Sequence, residues 1–305
     1  MTWRAYADWA KRWPALIKLA EPLSRGYGRL RPFDRLFPPP PEARVKPDLH
    51  DWHDRPLSAV WIGHATVLLR IGGMTILTDP VFSDRIGLCT GFATIGPQRL
   101  VRPALSIRQL PAIDLIIVSH AHFDHLDRPS LRQLDRRTPV ITSSMNDDLI
   151  RDLGFRKVRA MDLNQSIQFQ TLTITAVPVK HWGPRVFIDR QRGYAGFLIE
   201  SNQHKVLFGA DTADGAHFDG LRSRGIDLAI LGISAYDPYI AAHATPEQAW
   251  GMFQRMNARH LLPMHHSTFK LSYEPVDEPI KRLLSCAGTR VDKITVRQIG
   301  DSITS

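Results

Sequence analysis

His120-Ala121-His122-Phe123-Asp124-His125 puts four potential metal ligands within six residues, directly after an apolar, strand-like run at residues 113–118. Neutral imidazole and carboxylate are ligands that zinc takes readily. Alternation along an extended chain sends His120 and His122 one way, while Asp124 and His125 can turn toward a neighbouring ion. One strand end can therefore seed both halves of a two-metal hydrolytic centre.

A catalytic zinc takes about three protein ligands plus a water, so the rest of the chain must supply more. His181 follows the apolar alternating run 172–179, Asp211 follows 205–210, and His265 follows 260–264. Singly, each of these suits a capping or hydrogen-bonded loop residue equally well; together they form a series of strand ends, each finished by a ligand. His181 can complete a three-histidine site, and the two oxygens of Asp211 can bridge two cations. Two zinc ions ~3.5–4 Å apart would share a water, lower its pKa toward ~7 and present it as hydroxide. The same ions polarise a phosphoryl or carbonyl oxygen, so no covalent nucleophile is required of the chain. Manganese or iron can take the aspartate-containing site in place of the second zinc.

The elements that must position these groups are legible in outline. Residues 59–62, 67–71 and 74–78 read as a β meander with a Gly72-Gly73 turn between the last two strands. A long connection, 81–112, carries Gly87, Gly91, Gly96 and Pro97 and is expected to wall the substrate pocket. Asp127 or Arg128, with Pro129, starts a short helix after the ligand cluster. Thr245-Pro246-Glu247-Gln248 is a capping box that opens a helix running toward Met256, with His243 just outside its N-terminus.

The chain has 305 residues, 43% of them hydrophobic, enough for one large catalytic domain, expected over residues 57–305. Residues 1–56 read as a basic, aromatic extension ending in a spacer that contains Pro38-Pro39-Pro40-Pro41. Of the net charge of +9, residues 1–47 carry +6, with ten basic against four acidic side chains. Trp3, Tyr6, Ala10, Trp13 and Ile17 recur there at helical spacing. Such a helix suits either peripheral contact of residues 1–35 with an anionic membrane surface or packing of its aromatic stripe on the domain. Nucleic acid is not expected as a partner, because the basic side chains form no recognition module. Cys89 and Cys286 provide no disulfide framework, which points to a reducing, cytoplasmic compartment. No apolar run approaches the ~20 residues of a membrane span. Nothing in these features fixes an oligomeric state.

The residues quoted so far, with Trp61-Ile62-Gly63-His64-Ala65-Thr66, Leu77-Thr78-Asp79-Pro80, Leu126-Asp127, Asp211-Thr212, Ala235-Tyr236, Pro246-Glu247 and Thr268-Phe269, resemble the metallo-β-lactamase superfamily. Within it they resemble the branch of N-acyl-phosphatidylethanolamine phospholipase D, over about residues 58–301. The resemblance implies an α/β fold, a four-layer αβ/βα sandwich with the metals at one rim. By matching positions, His120, His122 and His181 would hold one Zn2+, Asp124, His125 and His265 the other, and Asp211 would bridge them. Asp124 would also orient the hydroxide, and His243 would hydrogen-bond the substrate oxyanion or protonate the leaving group. Asp79 and His64, at early strand ends, are candidates for orienting the ligand imidazoles, or else are buried structural groups.

The chain departs from this branch around the pocket. His265-His266-Ser267-Thr268-Phe269 stands where the branch has His-Trp-Gly-Thr-Phe, so that either histidine can be the terminal ligand; matching positions favour His265. Phe123 replaces a tyrosine, the tandem tryptophans expected near Asp162-Leu163-Asn164 are missing, and the stretch between Tyr236 and His243 is short. The expectation is a dinuclear zinc phosphodiesterase acting on a phospholipid. Hydrolysis of a lactone or other carbonyl ester on the same centre is the alternative, and a metal- and lipid-binding protein without turnover is a third reading.

Overall fold

The computed structural model describes residues 38–89, 93–186, 189 and 191–304. In chain order the strands are β1 (Leu57–Gly63), β2 (Thr66–Ile71), β3 (Met74–Thr78), β4 (Leu88–Cys89), β5 (Thr94–Ile95), β6 (Leu115–Val118), β7 (Val140–Ser143) and β8 (Val158–Met161). They continue with β9 (Ser166–Phe169), β10 (Leu172–Val177), β11 (Gly196–Glu200), β12 (Lys205–Phe208), β13 (Leu228–Gly232), β14 (His260–Met264) and β15 (Ser302–Thr304). Helices α1 (Arg128–Leu131), α2 (Asp147–Arg151), α3 (Pro246–Arg255) and α4 (Glu278–Ala287) are interspersed among them.

A seven-stranded sheet has the order β15-β1-β2-β3-β6-β7-β8, and a six-stranded sheet the order β14-β13-β12-β11-β10-β9. The meander β1–β2–β3 is antiparallel. Gly72 and Gly73, at φ 56° and 78°, make the turn that joins its last two strands, a pair of positive angles that glycine adopts without strain. From β3 onward the first sheet is parallel, as are β12, β13 and β14 in the second. Pro263 lies in β14, an edge strand, where its missing N–H costs no ladder bond.

The central strands of both sheets are buried on both faces, and alternation divides their side chains between two cores. Leu57, Ala59, Trp61, Val67, Leu69, Ile76, Leu115 and Ile117 of the first sheet meet Ile174, Phe197, Ile199, Val206, Phe208, Ile230 and Leu262 of the second. The residues between them face outward. Ile116, Val118 and Val140 pack beneath Leu131, Leu149 and Ile150 of α1 and α2. Leu207, Ala229, Leu231 and Leu261 pack beneath Ala249, Trp250, Phe253 and Met256 at the helical spacing of α3, with Leu283 and Ala287 of α4. Helix, sheet, sheet, helix is the expected four-layer αβ/βα sandwich.

Local features follow the sequence closely. Thr245 caps α3 reciprocally with Gln248, each side chain taking the other's amide proton, at 3.3 and 2.9 Å. Asp127 is the N-cap residue of α1 and Pro129 stands in its first turn. The connection 81–112 contains the hairpin of β4 and β5 and runs beside the segment after β14, with the Leu100 amide 2.8 Å from the Thr268 carbonyl. The proline run ends docked and not free-standing: the Pro38 carbonyl accepts from Gln98 Nε2 and the Pro41 carbonyl from the Arg102 amide. The basic aromatic stretch at residues 1–35 lies outside the described residues. Among those residues no helix is long and apolar enough to cross a membrane.

Candidate metal centre

The groups that the sequence singles out leave the C-terminal ends of strands along one rim, where open α/β sheets place their ligands. His64 follows β1, Asp79 follows β3, His120 and its neighbours follow β6, and His181, Asp211 and His265 follow β10, β12 and β14. Backbone strain gathers there: His64, Asp79, Ala210 and His265 have φ of 56°, 31°, 50° and 72°. A non-glycine residue holds such angles at a cost, which the surrounding packing must offset.

Asp211 Oδ2 lies at the middle of the cluster. Its distances to Nε2 of His125, His265 and His243 are 3.1, 3.2 and 3.3 Å, and to Nε2 of His120 and His181 3.9 Å each. On one side, His122 Nδ1 is 2.9 Å from His120 Nε2 and 3.2 Å from His181 Nε2. On the other, Asp124 Oδ2 is 3.4 Å from His265 Nε2 and 3.6 Å from His125 Nε2. Donors that share a tetrahedral zinc at 2.0–2.1 Å stand about 3.3 Å from one another, so these spacings suit groups that could hold a metal ion.

The supporting bonds fix which nitrogen faces inward. Ser119 gives its hydroxyl and its amide proton to Asp79, at 2.6 and 2.7 Å, and its oxygen in turn accepts from His120 Nδ1 at 2.9 Å. His125 Nδ1 donates to the same Asp79 carboxylate at 2.6 Å, and His181 Nδ1 donates to the Ala242 carbonyl at 3.1 Å. With each Nδ1 carrying the proton, the Nε2 lone pairs of His120, His125 and His181 converge on the centre. Buried Nε2 of His125 and His265 and Oδ1 of Asp211 have no hydrogen-bond partner. An array of converging lone pairs is costly unless something positive sits among it.

The charge balance agrees. Burial pushes His120 and His181 well below the ordinary imidazole value and His122 down to about 4. At His125 and His265 burial acts in the same direction, but the carboxylates of Asp211 and Asp124 outweigh it, holding His125 well above the ordinary value and His265 at about 9. The surrounding histidines, against burial, keep Asp124 and Asp211 well below the carboxylate range. The two carboxylates thus hold positive charge at their side of the rim, which either protons or a cation can supply.

Several residues stand differently from the sequence expectation. His64 reaches the Asp124 carboxylate at 2.9 Å instead of orienting an imidazole, and burial lowers it to about 3. His266 turns away from the cluster: its ring lies 4.5 Å from that of Trp61 and its Nδ1 is 2.9 Å from Ser267 Oγ. His265 is the one of the pair that faces Asp124 and Asp211. His243 approaches Asp211 from the mouth of the site, its ring 5.0 Å from His181 and its Nδ1 buried without a partner. Sequence reasoning missed Arg185, a buried guanidinium that donates to the Ala121 and Leu126 carbonyls at 2.5 and 2.8 Å and lies 3.9 Å over the Phe123 ring. It closes the ligand loop from behind, and no periodicity or spacing marks it.

The fold and rim are those of a superfamily of metal-dependent hydrolases. The sequence profile of the Beta-lactamase superfamily domain matches residues 74–266, and the chain belongs to that family. It is 33% identical over 260 residues to an uncharacterized protein of Mycobacterium tuberculosis, spanning 82% of this chain and 69% of the relative. It is 30% identical to N-acyl-phosphatidylethanolamine-hydrolyzing phospholipase D 1 of Caenorhabditis elegans, over 79% of this chain and 73% of the relative. Among solved structures, an isothiocyanate hydrolase from Delia radicum gut bacteria superposes with a TM-score of 0.66 at 17% identity, covering 81% of this chain and 98% of that one.

Proposed function

We propose that the protein is a dinuclear zinc-dependent phosphodiesterase acting on N-acyl-phosphatidylethanolamine or a lipid like it. The observation that carries this reading is the convergence of the Nε2 atoms of His125, His181 and His265 on Asp211 Oδ2, with the Asp124 carboxylate beside them. His120, His122 and His181 would hold one ion, Asp124, His125 and His265 the second, with Asp211 shared between them. Mn2+ or Fe2+ fits the aspartate-containing half as well. Bound there, the metals supply Lewis-acid activation of water and of the substrate's phosphoryl oxygen at neutral pH.

The chain's own residues do the rest. His64, through its bond to Asp124, fixes the carboxylate that orients the attacking water. His243, at the mouth, gives a proton or hydrogen bond to the leaving group or oxyanion. Asp79 and Ser119 lock the ring tautomers behind them. An apolar mouth supports a lipid substrate: Trp182 stacks on His181 at 4.5 Å and lies 6.2 Å from Tyr239, and Trp182, Tyr239 and Ile240 are 36%, 47% and 53% exposed. Exposed large apolar side chains grouped at a site mark an interaction surface. The C. elegans relative, whose name states hydrolysis of N-acyl-phosphatidylethanolamine, points the same way. Residues 1–56 form the extension and 57–305 the catalytic domain on this reading, with residues 1–35 making peripheral membrane contact from the cytoplasmic side.

Metal analysis of the purified protein, followed by turnover of N-acyl-phosphatidylethanolamine against a panel of lactones, tests the proposal. Two ions per chain and release of a phosphatidic acid are expected. Turnover of lactones alone would replace the phosphodiesterase with the carbonyl-ester hydrolase, and a metal-free protein that stays metal-free on reconstitution would sink both.

A further inference from the structure

Three segments of the centre, those of His181, Asp211 and His243, meet at Thr212. Its Oγ1 accepts from the Lys180 amide at 2.9 Å and donates to the Ala213 carbonyl at 2.9 Å, so the His217 Nε2 atom 3.0 Å away acts as the second donor to the same oxygen. The hydroxyl is thereby saturated. The main chain completes the junction, with the Thr212 carbonyl taking the Ala244 amide proton at 2.8 Å and the Ala213 amide donating to the Lys180 carbonyl at 2.9 Å. Lys180 precedes His181, Thr212 follows Asp211 and Ala244 follows His243, so every tether lies next to a member of the centre. His181, Asp211 and His243 offer ligand atoms within 4.8 Å of one another, although His181 and Ala242, whose ring and carbonyl meet, are 61 residues apart in the chain.

We infer that Thr212 is a positioning residue: its hydroxyl sets the distance between His181 and Asp211, with His217 holding that hydroxyl from outside, while its main-chain carbonyl ties in the segment of His243. The inference rests on the reading that this rim binds metal ions. Thr212 is only 4% exposed, so valine, of the same shape, sets a methyl group against the Lys180 amide in place of its acceptor and removes the oxygen that His217 holds. Serine keeps the oxygen and loses only a methyl group.

The test titrates full-length protein with Co2+ and Zn2+, reading stoichiometry, affinity and the Co2+ absorption spectrum. Thr212→Val should weaken one ion by about 10–100-fold and change the Co2+ bands, the effect expected for a group that supports a ligand, whereas Thr212→Ser should match the wild type. Equal affinity and spectrum for Thr212→Val and wild type would overturn the inference, as would a serine variant as impaired as the valine one. Should the valine variant not fold, His217→Ala against His217→Gln decides: glutamine keeps an N–H donor, so only alanine should weaken the metal, and equal behaviour overturns the idea. A wild type that binds no ion defeats the metal reading itself, whereas a wild type that binds normally beside an unaffected valine variant defeats only the role of Thr212.

Discussion

His120, His122, Asp124 and His125 leave one strand end within six residues, whereas His181, Asp211 and His265 arrive on three strands of the other sheet. The first group is held by its own loop. The His125 and Leu126 amides donate to the His122 carbonyl at 3.1 and 2.8 Å, Arg185 bonds the Ala121 and Leu126 carbonyls, and Asp79 with Ser119 fixes two rings. The second group depends on sheet register, with Phe208 paired to Ile230 and Gly232 to Met264, and on bonds between loops such as those at Thr212. The local half needs one turn with its outside supports, Arg185 and Asp79; an assembled half is only as accurate as the packing of a whole sheet.

That contrast can be broken most decisively at Asp211, the member of the second group proposed to serve both ions. Asp211→Ala should lower turnover by about 10³-fold or more and disturb both ions, measured by metal content beside kcat/KM; loss of one ion with the other unaffected would place Asp211 in one half only. His243→Ala should cut kcat by about 10²–10⁴-fold with metal content unchanged, because the residue is assigned proton donation and not metal retention. A parallel fall in bound metal would move it into the assembled half. Asp79→Asn probes the local half from behind: metal affinity should drop about 10–100-fold while the fold persists by circular dichroism, and an unchanged affinity would show that the loop sets His125 without its carboxylate. The smallest effect is expected at His266, which packs on Trp61. His266→Ala should cost about 1–2 kcal/mol in thermal stability and leave both ions in place, whereas His265→Ala removes one.

The local half was readable because its information is contiguous: donor types, spacing and the preceding apolar run all lie in one window of sequence. The meander and its glycine turn, β14 and the capped α3 were legible for the same reason. Strand β15 was not, since Ser302–Thr304 is too short for a periodic signal and exists by pairing with β1. Arg185 was hidden because a buried cation bonding main-chain carbonyls leaves no pattern, and the inward nitrogen of each ring depends on what the other nitrogen meets. Sequence could offer His265 and His266 as near equals; a single residue of alternation, read against Trp61 on one side and Asp211 on the other, separates them in space.

By itself, then, the amino-acid sequence supplied the candidate donors, the strand ends that carry them and the motifs of the family to which the chain belongs, since residue type and short-range periodicity are properties of the chain. Tertiary structure alone decided which atoms converge, that Asp211 stands at the middle, that His64 serves a carboxylate and that Thr212 ties three segments together. Distances of 3 to 4 Å between residues far apart in the chain are set by how two sheets pack, and no local stretch of sequence encodes that packing.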